Sequence, residues 1–383
     1  MSESELAPGL EGVSVASTRL SKIDGERGAL VIGGMPLGEL APNARYEEST
    51  YLLLHDRLPD AKEQERFRKD LAQRRSLPDA AAEVVQQMGQ ANAPAMDALR
   101  AGLAAASLRT DDSSDEEQAR RVIAVIPTIA ATYWRVRQDR SPVPPRPDLG
   151  HAANYLYMLH GEVPAADTVR ALETYLNTVI DHGLNASTFT ARTVVSTESD
   201  LVSAATAAVG ALKGPLHGGA PGPVLEMLRT VHEEGNPEAF VRDMLEKGER
   251  LMGFGHRVYR ARDPRAKVLA RAAEQLYEEA GNESFLETAH RLEEVGQRLL
   301  RKHRPDRRLK TNVEFYTAVL LHGIGIPQAL FTATFAASRV GGWVAHALEQ
   351  KRNNRLMRPR SHYRGETGRS WTPVEERGAN SLD

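Results

Sequence analysis

From Tyr46 onward, apolar residues recur every three or four positions, and Pro, Gly, Asn or Asp punctuates the runs. That period predicts helices over 46–58, 61–75, 79–90, 95–108 and 115–138. Pro127 is expected to kink the last of these. More helices are predicted over 150–159, 164–181, 186–196, 200–212, 223–234, 237–249, 264–280, 284–303, 311–323 and 327–352. The 327–352 run is apolar nearly all round, the mark of a buried core helix, and its small residues allow close packing. Residues 1–45 carry turn signals (Ile23-Asp24-Gly25, Gly33-Gly34, Pro36, Pro42) around the β-capable stretch 29–32. A short strand region or hairpin is expected there. The Pro-rich stretch 141–147 reads as a stiff connector. After Asn354 the chain is polar and irregular, a tail that needs another surface to pack on. The expected fold class is all-α and multi-helical, with a short N-terminal strand region.

Composition narrows this picture by exclusion. The chain has 383 residues, 41% hydrophobic and 26% charged, enough for one large core and a smaller one. A net charge of −2 gives no bulk case for nucleic acid or a membrane surface. No apolar run reaches the ~18 residues that span a bilayer. The N-terminus lacks the basic and apolar regions of a secretory signal, and the chain has no cysteine. Disulfides, thiolate chemistry and Cys-ligated zinc are excluded, and a cytoplasmic location is expected. Of the 49 basic residues, 9 are Lys and the rest Arg, a bias that suits acidic substrates. The sequence shows no repeat of 20–50 residues, no phosphate-binding glycine loop and no His-Glu-x-x-His.

The candidate chemistry sits in four short segments. Lys213-Gly214-Pro215-Leu216-His217-Gly218-Gly219 is a corner between two helices. Its Gly and Pro end the first helix, and the glycines after His217 permit close approach of another group. Asp181-His182-Gly183-Leu184-Asn185-Ala186-Ser187 is the second segment. The third is Gly253-Phe254-Gly255-His256-Arg257-Val258-Tyr259, continued by Asp263-Pro264-Arg265. Asn312-Val313-Glu314-Phe315-Tyr316, the fourth, places a carboxylate at the start of an apolar helix. The histidines are too far apart for helical metal pairs, so no metal is expected. A metal-free acid–base site fits them better: His polarises or protonates a carbonyl, a carboxylate removes a proton from carbon, and Arg holds carboxylates.

Together the four segments resemble those of the citrate synthase family, in that family's order and spacing. Phe335–His346, with its Phe-Ala-x-x-Arg-x-x-Gly-Trp-x-Ala-His pattern, and Arg358-Pro359-Arg360 extend the match. The resemblance implies condensation of acetyl-CoA with oxaloacetate and hydrolysis of the resulting thioester to citrate and CoA. It assigns Glu314 as the base that takes the methyl proton. His217 would hydrogen-bond the thioester oxygen, with Asn185 and Ser187 on the substrate side and Ser187 orienting the ring. His256 would polarise and protonate the oxaloacetate carbonyl. His182, Arg265 and Arg339 would hold the substrate carboxylates, with Arg358 arriving from a partner subunit. Met252, Gly253, Phe254 and Gly255 would cradle adenine, and Arg260 and Lys310 would meet the CoA phosphates. No cofactor is implied, because the CoA thioester is a substrate. The implied assembly is a homodimer of the family's shorter branch, without the N-terminal region linked to NADH inhibition. Each subunit would have a large domain at 1–217 and 320–383 and a small one at 218–319.

The sequence departs from the family pattern at several positions. Glu314 stands where most members have Asp, and Gly183 where Glu is usual. Pro221 replaces an Asn, and Gly33-Gly34-Met35 replaces Arg-Gly-Tyr. The shared motifs also leave 2-methylcitrate synthase, which uses propionyl-CoA, as an alternative. A weakly catalytic homologue that binds CoA or dicarboxylates is a third reading.

Overall fold

A computed structural model describes residues 6–106, 114–219, 221–255, 259, 261–281, 283–307 and 309–377. The chain divides into two compact units, one of residues 18–356 and one of residues 1–17 with 357–383. The larger unit opens with three strands, β1 Ser21–Asp24, β2 Ala29–Ile32 and β3 Met35–Pro36, in an antiparallel meander. Val31 pairs with Lys22 on one side and Pro36 on the other. Leu30 and Ile32 are buried, so one face of the small sheet meets the helices.

The helices follow in chain order: α1 Leu37–Asn43, α2 Tyr46–His55, α3 Ala61–Gln73, α4 Asp79–Gln90, α5 Ala95–Ala105, α6 Asp115–Arg137, α7 His151–His160 and α8 Ala166–Val179. Beyond them lie α9 Ala186–Val195, α10 Leu201–Leu212, α11 Pro221–Glu234, α12 Pro237–Glu246, α13 Pro264–Ala280, α14 Ser284–His303, α15 Val313–Ile324 and α16 Phe331–Arg352. The predicted all-α class is therefore correct. Polar side chains that cap orphan N–H groups set many of the starts: Asp60, Ser114, Asn185, Asp200, Asn236, Asp263 and Asn312 each accept from the first turn of their helix.

Beyond shifts of a few residues at several helix ends, the structure departs from the sequence reading at residues 37–43 and at the start of α16. Residues 37–43 are helical, although Pro36 and Pro42 read as turns. Leu37, Leu40 and Ala41 are buried, and their i, i+3, i+4 spacing gives this short helix a packed face. Helix α6 continues through Pro127 without a break. Residues 328–330 form a 3-10 turn, and α16 starts only at Phe331.

Helix α16 is the core helix the pattern predicts, buried from Phe331 to Ala347 with few interruptions. Its contact with the end of α8 is close because Gly341 and Gly342 carry no side chain. A Cβ on Gly342 would lie 2.3 Å from the Ile180 carbonyl oxygen and 2.9 Å from Asp181 Oδ1. This packing lays Arg339, Trp343 and His346 alongside the segment that carries Asp181 and His182. Among the described residues, no helix is long and apolar enough to cross a membrane.

In the smaller unit, regular structure among the described residues is confined to 3-10 turns at Pro8–Leu10 and Val374–Glu376. Tyr363 and Trp371 are largely exposed there, at 73% and 80%.

Candidate active site

The His217 corner is built by close backbone approach. Leu212 ends α10, and the Gly218 N–H returns to the Leu212 carbonyl at 3.0 Å. A Cβ on Gly218 would sit 2.5 Å from that oxygen, so the corner needs glycine. His217 is half-buried and its Nε2 lies 2.8 Å from Ser187 Oγ. Ser187 is fully buried in the first turn of α9. It accepts the Trp343 indole N–H at 3.0 Å and reaches Asn185 Oδ1 at 2.8 Å. Asn185 is itself fixed as the cap of α9. The imidazole is thus held edge-on by a serine that cannot move. Burial and then Arg339 lower His217 to about 4, so it meets a ligand as neutral imidazole at neutral pH.

The segment holding Gly253 and Gly255 is tied to the start of α15. Phe254 and Thr311 form a β-bridge, Gly255 N–H donates to Lys310 O at 2.7 Å, and Asn312 N–H donates to Gly253 O at 2.9 Å. Gly253 and Gly255 have φ of 82° and 84°, and a Cβ on either would strike Phe315 or Leu309. Met252 is partly buried against the core, while Lys310 is exposed. Asn312 caps α15 by accepting the Glu314 N–H at 3.0 Å. The proposed adenine cradle and the proposed base therefore share one short piece of backbone.

Glu314 is partly exposed, in the first turn of α15. Burial raises its carboxyl to about 7; Arg265 and Arg339 pull against that and Asp263 adds to it. Arg265 is buried in a two-point pair with Asp263, Nε to Oδ1 at 3.1 Å and Nη2 to Oδ2 at 2.8 Å. Burial works against its charge, but Asp263 outweighs that and leaves Arg265 above its usual range. Arg339 gives its Nε–H to the Val179 carbonyl at 2.7 Å and lies over the Phe335 ring at 4.7 Å. Burial brings it down to about 10, still cationic at neutral pH. Arg339 is felt by both His217 and Glu314, which places all three in one neighbourhood. His182, buried, meets Tyr259 Oη through Nε2 at 3.0 Å, and Arg265 lies over the same Tyr259 ring at 5.7 Å.

The structure thus brings together His182, Asn185, Ser187, His217, Arg265, Glu314 and Arg339. His256 and Arg260 lie outside the described residues. Arg358 is exposed, in irregular chain of the smaller unit. A family model described as the citrate synthase C-terminal domain matches residues 9–360. The chain belongs to the citrate synthase family. It is 44% identical to a citrate synthase of Haloferax volcanii, over 97% of this chain and 99% of that one. It is 34% identical to a 2-methylcitrate synthase of Shewanella oneidensis, over 96% and 97%. A citrate synthase of Thermoplasma acidophilum, solved as a ternary complex with carboxymethyl coenzyme A and oxaloacetate, superposes with a TM-score of 0.89 at 32% identity, over 97% of this chain and all of that one. As a citrate synthase family member the protein is an enzyme that transfers an acyl-derived group in a condensation.

Five further residues at this citrate synthase family site carry structure that motif reading did not assign. Trp343 and Tyr259 are the partners of Ser187 and His182, and both lie inside motifs already recognised by other residues. Asp263 neutralises Arg265 and caps α13. Asp181 is buried beside His346. Tyr175, fully buried on α8, has its hydroxyl raised well above the usual range, first by burial and then by Glu314. No spacing in the sequence flags Tyr175.

Proposed function

We propose that this chain is a citrate synthase that condenses acetyl-CoA with oxaloacetate and hydrolyses citryl-CoA to citrate and CoA. The observation that carries the reading is the Glu314 carboxyl, raised to about 7 and set among Arg265, Arg339 and the neutral His217. A thioester methyl is a weak carbon acid. It needs a base stronger than an ordinary carboxylate and a donor aimed at the oxygen where charge develops. Glu314 takes the methyl proton and His217 donates to the thioester oxygen. The enolate carbon then attacks the oxaloacetate carbonyl carbon, and His256 delivers a proton to the new alkoxide. Water finally cleaves the thioester and releases CoA. Arg265, Arg339 and His182 hold the dicarboxylate, and the backbone of 252–255 with Lys310 and Arg260 receives CoA. Acid–base groups and the CoA substrate suffice, without a metal or prosthetic group.

Arg265 and Glu314 belong to 218–319, whereas His182, Arg339 and His217 belong to the remainder. Oxaloacetate held from both sides draws the two parts together and excludes water before the proton transfer. The working unit in this reading is a homodimer, with Arg358 delivered by the second copy. The exposed Tyr363 and Trp371, which follow Arg358 in the chain, give such a copy apolar surface to cover.

The 34% identical 2-methylcitrate synthase keeps propionyl-CoA as a second acyl donor to test. Thiol release after adding oxaloacetate with acetyl-CoA or with propionyl-CoA decides both points. Faster release with acetyl-CoA supports the reading, faster release with propionyl-CoA replaces it with the second, and release with neither leaves only a binding role.

A further inference from the structure

A chain of buried polar contacts runs away from Arg339 and plays no part in the chemistry above. His346 lies two turns along α16 from Arg339, and both it and Asp181 are fully buried. Nε2 of His346 is 3.1 Å from Asp181 Oδ1, and Nδ1 is 3.0 Å from Arg192 Nη1. Arg192 Nη1 also donates to Glu349 Oε2 at 2.7 Å, and its Nε to Gln350 Oε1 at 3.2 Å. Glu349 in turn accepts the backbone N–H of Arg19 at 3.0 Å.

The tautomer of His346 follows from this pattern. A guanidinium only donates, so Nδ1 must carry the lone pair that receives Arg192. The single ring proton is then on Nε2 and is donated to Asp181. Arg339 gives its Nε–H to the Val179 carbonyl at 2.7 Å, two residues before Asp181 on the same short segment, and the Asp181 charge favours the Arg339 cation. A buried guanidinium without a fixed countercharge is costly to hold in one geometry. The bare Gly341-Gly342 surface presses this part of α16 onto Ile180 and Asp181.

We propose that His346 is a positioning residue for Arg339: by donating to Asp181 and accepting from Arg192, it fixes the 179–181 segment whose Val179 carbonyl holds the guanidinium toward the substrate carboxylate. This rests on the reading of Arg339 as a dicarboxylate ligand. The polarity of the contact makes a distinctive demand. A side chain that donates at one end and accepts at the other replaces His346, whereas an apolar one of similar size does not. Glutamine meets the demand and leucine fails it.

The test compares His346→Gln with His346→Leu in the full-length protein, with oxaloacetate binding measured by calorimetry. His346→Leu is expected to weaken oxaloacetate binding by about tenfold or more, the scale of losing a hydrogen bond to a charged group. His346→Gln stays within about threefold of wild type, and the acyl-CoA KM moves less than about twofold in both. If His346→Leu does not fold, Arg192→Met, which removes the donor to His346 together with its bonds to Glu349 and Gln350, is expected to weaken binding in the same direction. Wild-type affinity in His346→Leu overturns the proposal, as does a glutamine variant no better than leucine. So does an acyl-CoA KM that rises in step with the oxaloacetate constant. A second readout needs no ligand. Trp343 lies between Arg339 and His346 on α16, and its emission is isolated by replacing Trp134 and Trp371 with Phe. That emission shifts in His346→Leu and not in His346→Gln. If wild type binds no oxaloacetate, the dicarboxylate reading has failed, and the emission comparison alone decides the relay: no difference between the two variants ends it.

Discussion

Ser187 Oγ stands 2.8 Å from Nε2 of His217, across a sequence separation of 30 residues. The same oxygen accepts from Trp343 and reaches Asn185, so three elements fix one hydroxyl. For the neutral His217 to donate through Nδ1, Nε2 must accept, so in the working site the Ser187 proton turns from Asn185 to the ring. Ser187→Ala keeps the fold of α9, whose cap is Asn185, but frees the ring. We expect kcat to fall by roughly ten- to a hundredfold, the cost of ~1 Å misplacement, while oxaloacetate affinity holds. Steady-state kinetics with calorimetry checks this. A weakened oxaloacetate constant with unchanged kcat would assign Ser187 to the substrate instead.

The pH dependence separates the two half-buried groups proposed to be catalytic. Glu314 must be ionised to act as base, so kcat/KM rises with pH through about 7. His217, lowered to about 4, contributes no further limb in that range. The stability effect of Glu314 has the opposite sign. Its folded value lies above the ordinary 4.5, so as pH climbs from about 4.5 to 7 the unfolded chain ionises first and the folded state loses ground. Above 7 the loss is complete, with an upper bound of about 3 kcal/mol from the shift, trimmed by the solvent reaching this partly exposed carboxylate. Glu314→Gln removes the group, so it is expected to raise the melting temperature at pH 8 and leave it unchanged at pH 4. Calorimetric melts at the two pH values test the sign.

What the sequence made legible follows from local physics. The helix starts after Asp60 and Asn185 could be read because a capping side chain acts within three residues, whereas the start of α15, expected at 311, falls after its cap Asn312. The proposed catalytic set came from compact motifs, whose residues lie close together in the chain. Residues 37–43 could not be read, since Pro36 and Pro42 argue for a turn and only tertiary burial of Leu37 and Leu40 overrides them. The partners of the catalytic groups were hidden for a related reason. Trp343 meets Ser187 across 156 positions and His346 meets Asp181 across 165. A hydrogen bond between such residues leaves no spacing in the chain, and only the packing of α16 on α8 and α9 creates it.

A shared site across a dimer predicts complementation. Arg358 lies in exposed, irregular chain, and the family resemblance delivers it to a second copy. Arg358→Ala and His217→Ala proteins are each expected to be nearly inactive. Refolded together, they form mixed dimers in which one of the two sites has both residues intact. Activity then recovers toward a quarter of wild type, the expectation for random pairing with one working site in half of the dimers. Mixed dimers verified by mass spectrometry that remain inactive would rule out the shared site.

The sharpest question is whether Glu314 is correctly placed despite being one methylene longer than the Asp usual at this position. Its backbone is fixed independently of its side chain: Asn312 caps α15 by accepting from Glu314 N–H, and the 253–255 segment is bonded to 310–312. The carboxylate position is therefore set by side-chain length and by its neighbours Tyr175, Arg265 and Arg339. Glu314→Gln keeps the shape but cannot take a proton. It is expected to abolish exchange of the acetyl-CoA methyl protons with solvent and to lower kcat by several orders of magnitude, with oxaloacetate still bound. Glu314→Asp distinguishes two histories of the site. If α15 and its partners have settled around the longer side chain, Asp falls short by about one bond and kcat drops on the order of a hundredfold. If Glu314 is merely a detuned replacement, the shorter acid restores the usual reach and kcat rises. The rigid tie between α15 and the 253–255 segment favours the drop, because the backbone cannot advance to close the gap. A Glu314→Gln enzyme turning over near the wild-type rate would remove this carboxylate from the proton transfer and return the question to another acid.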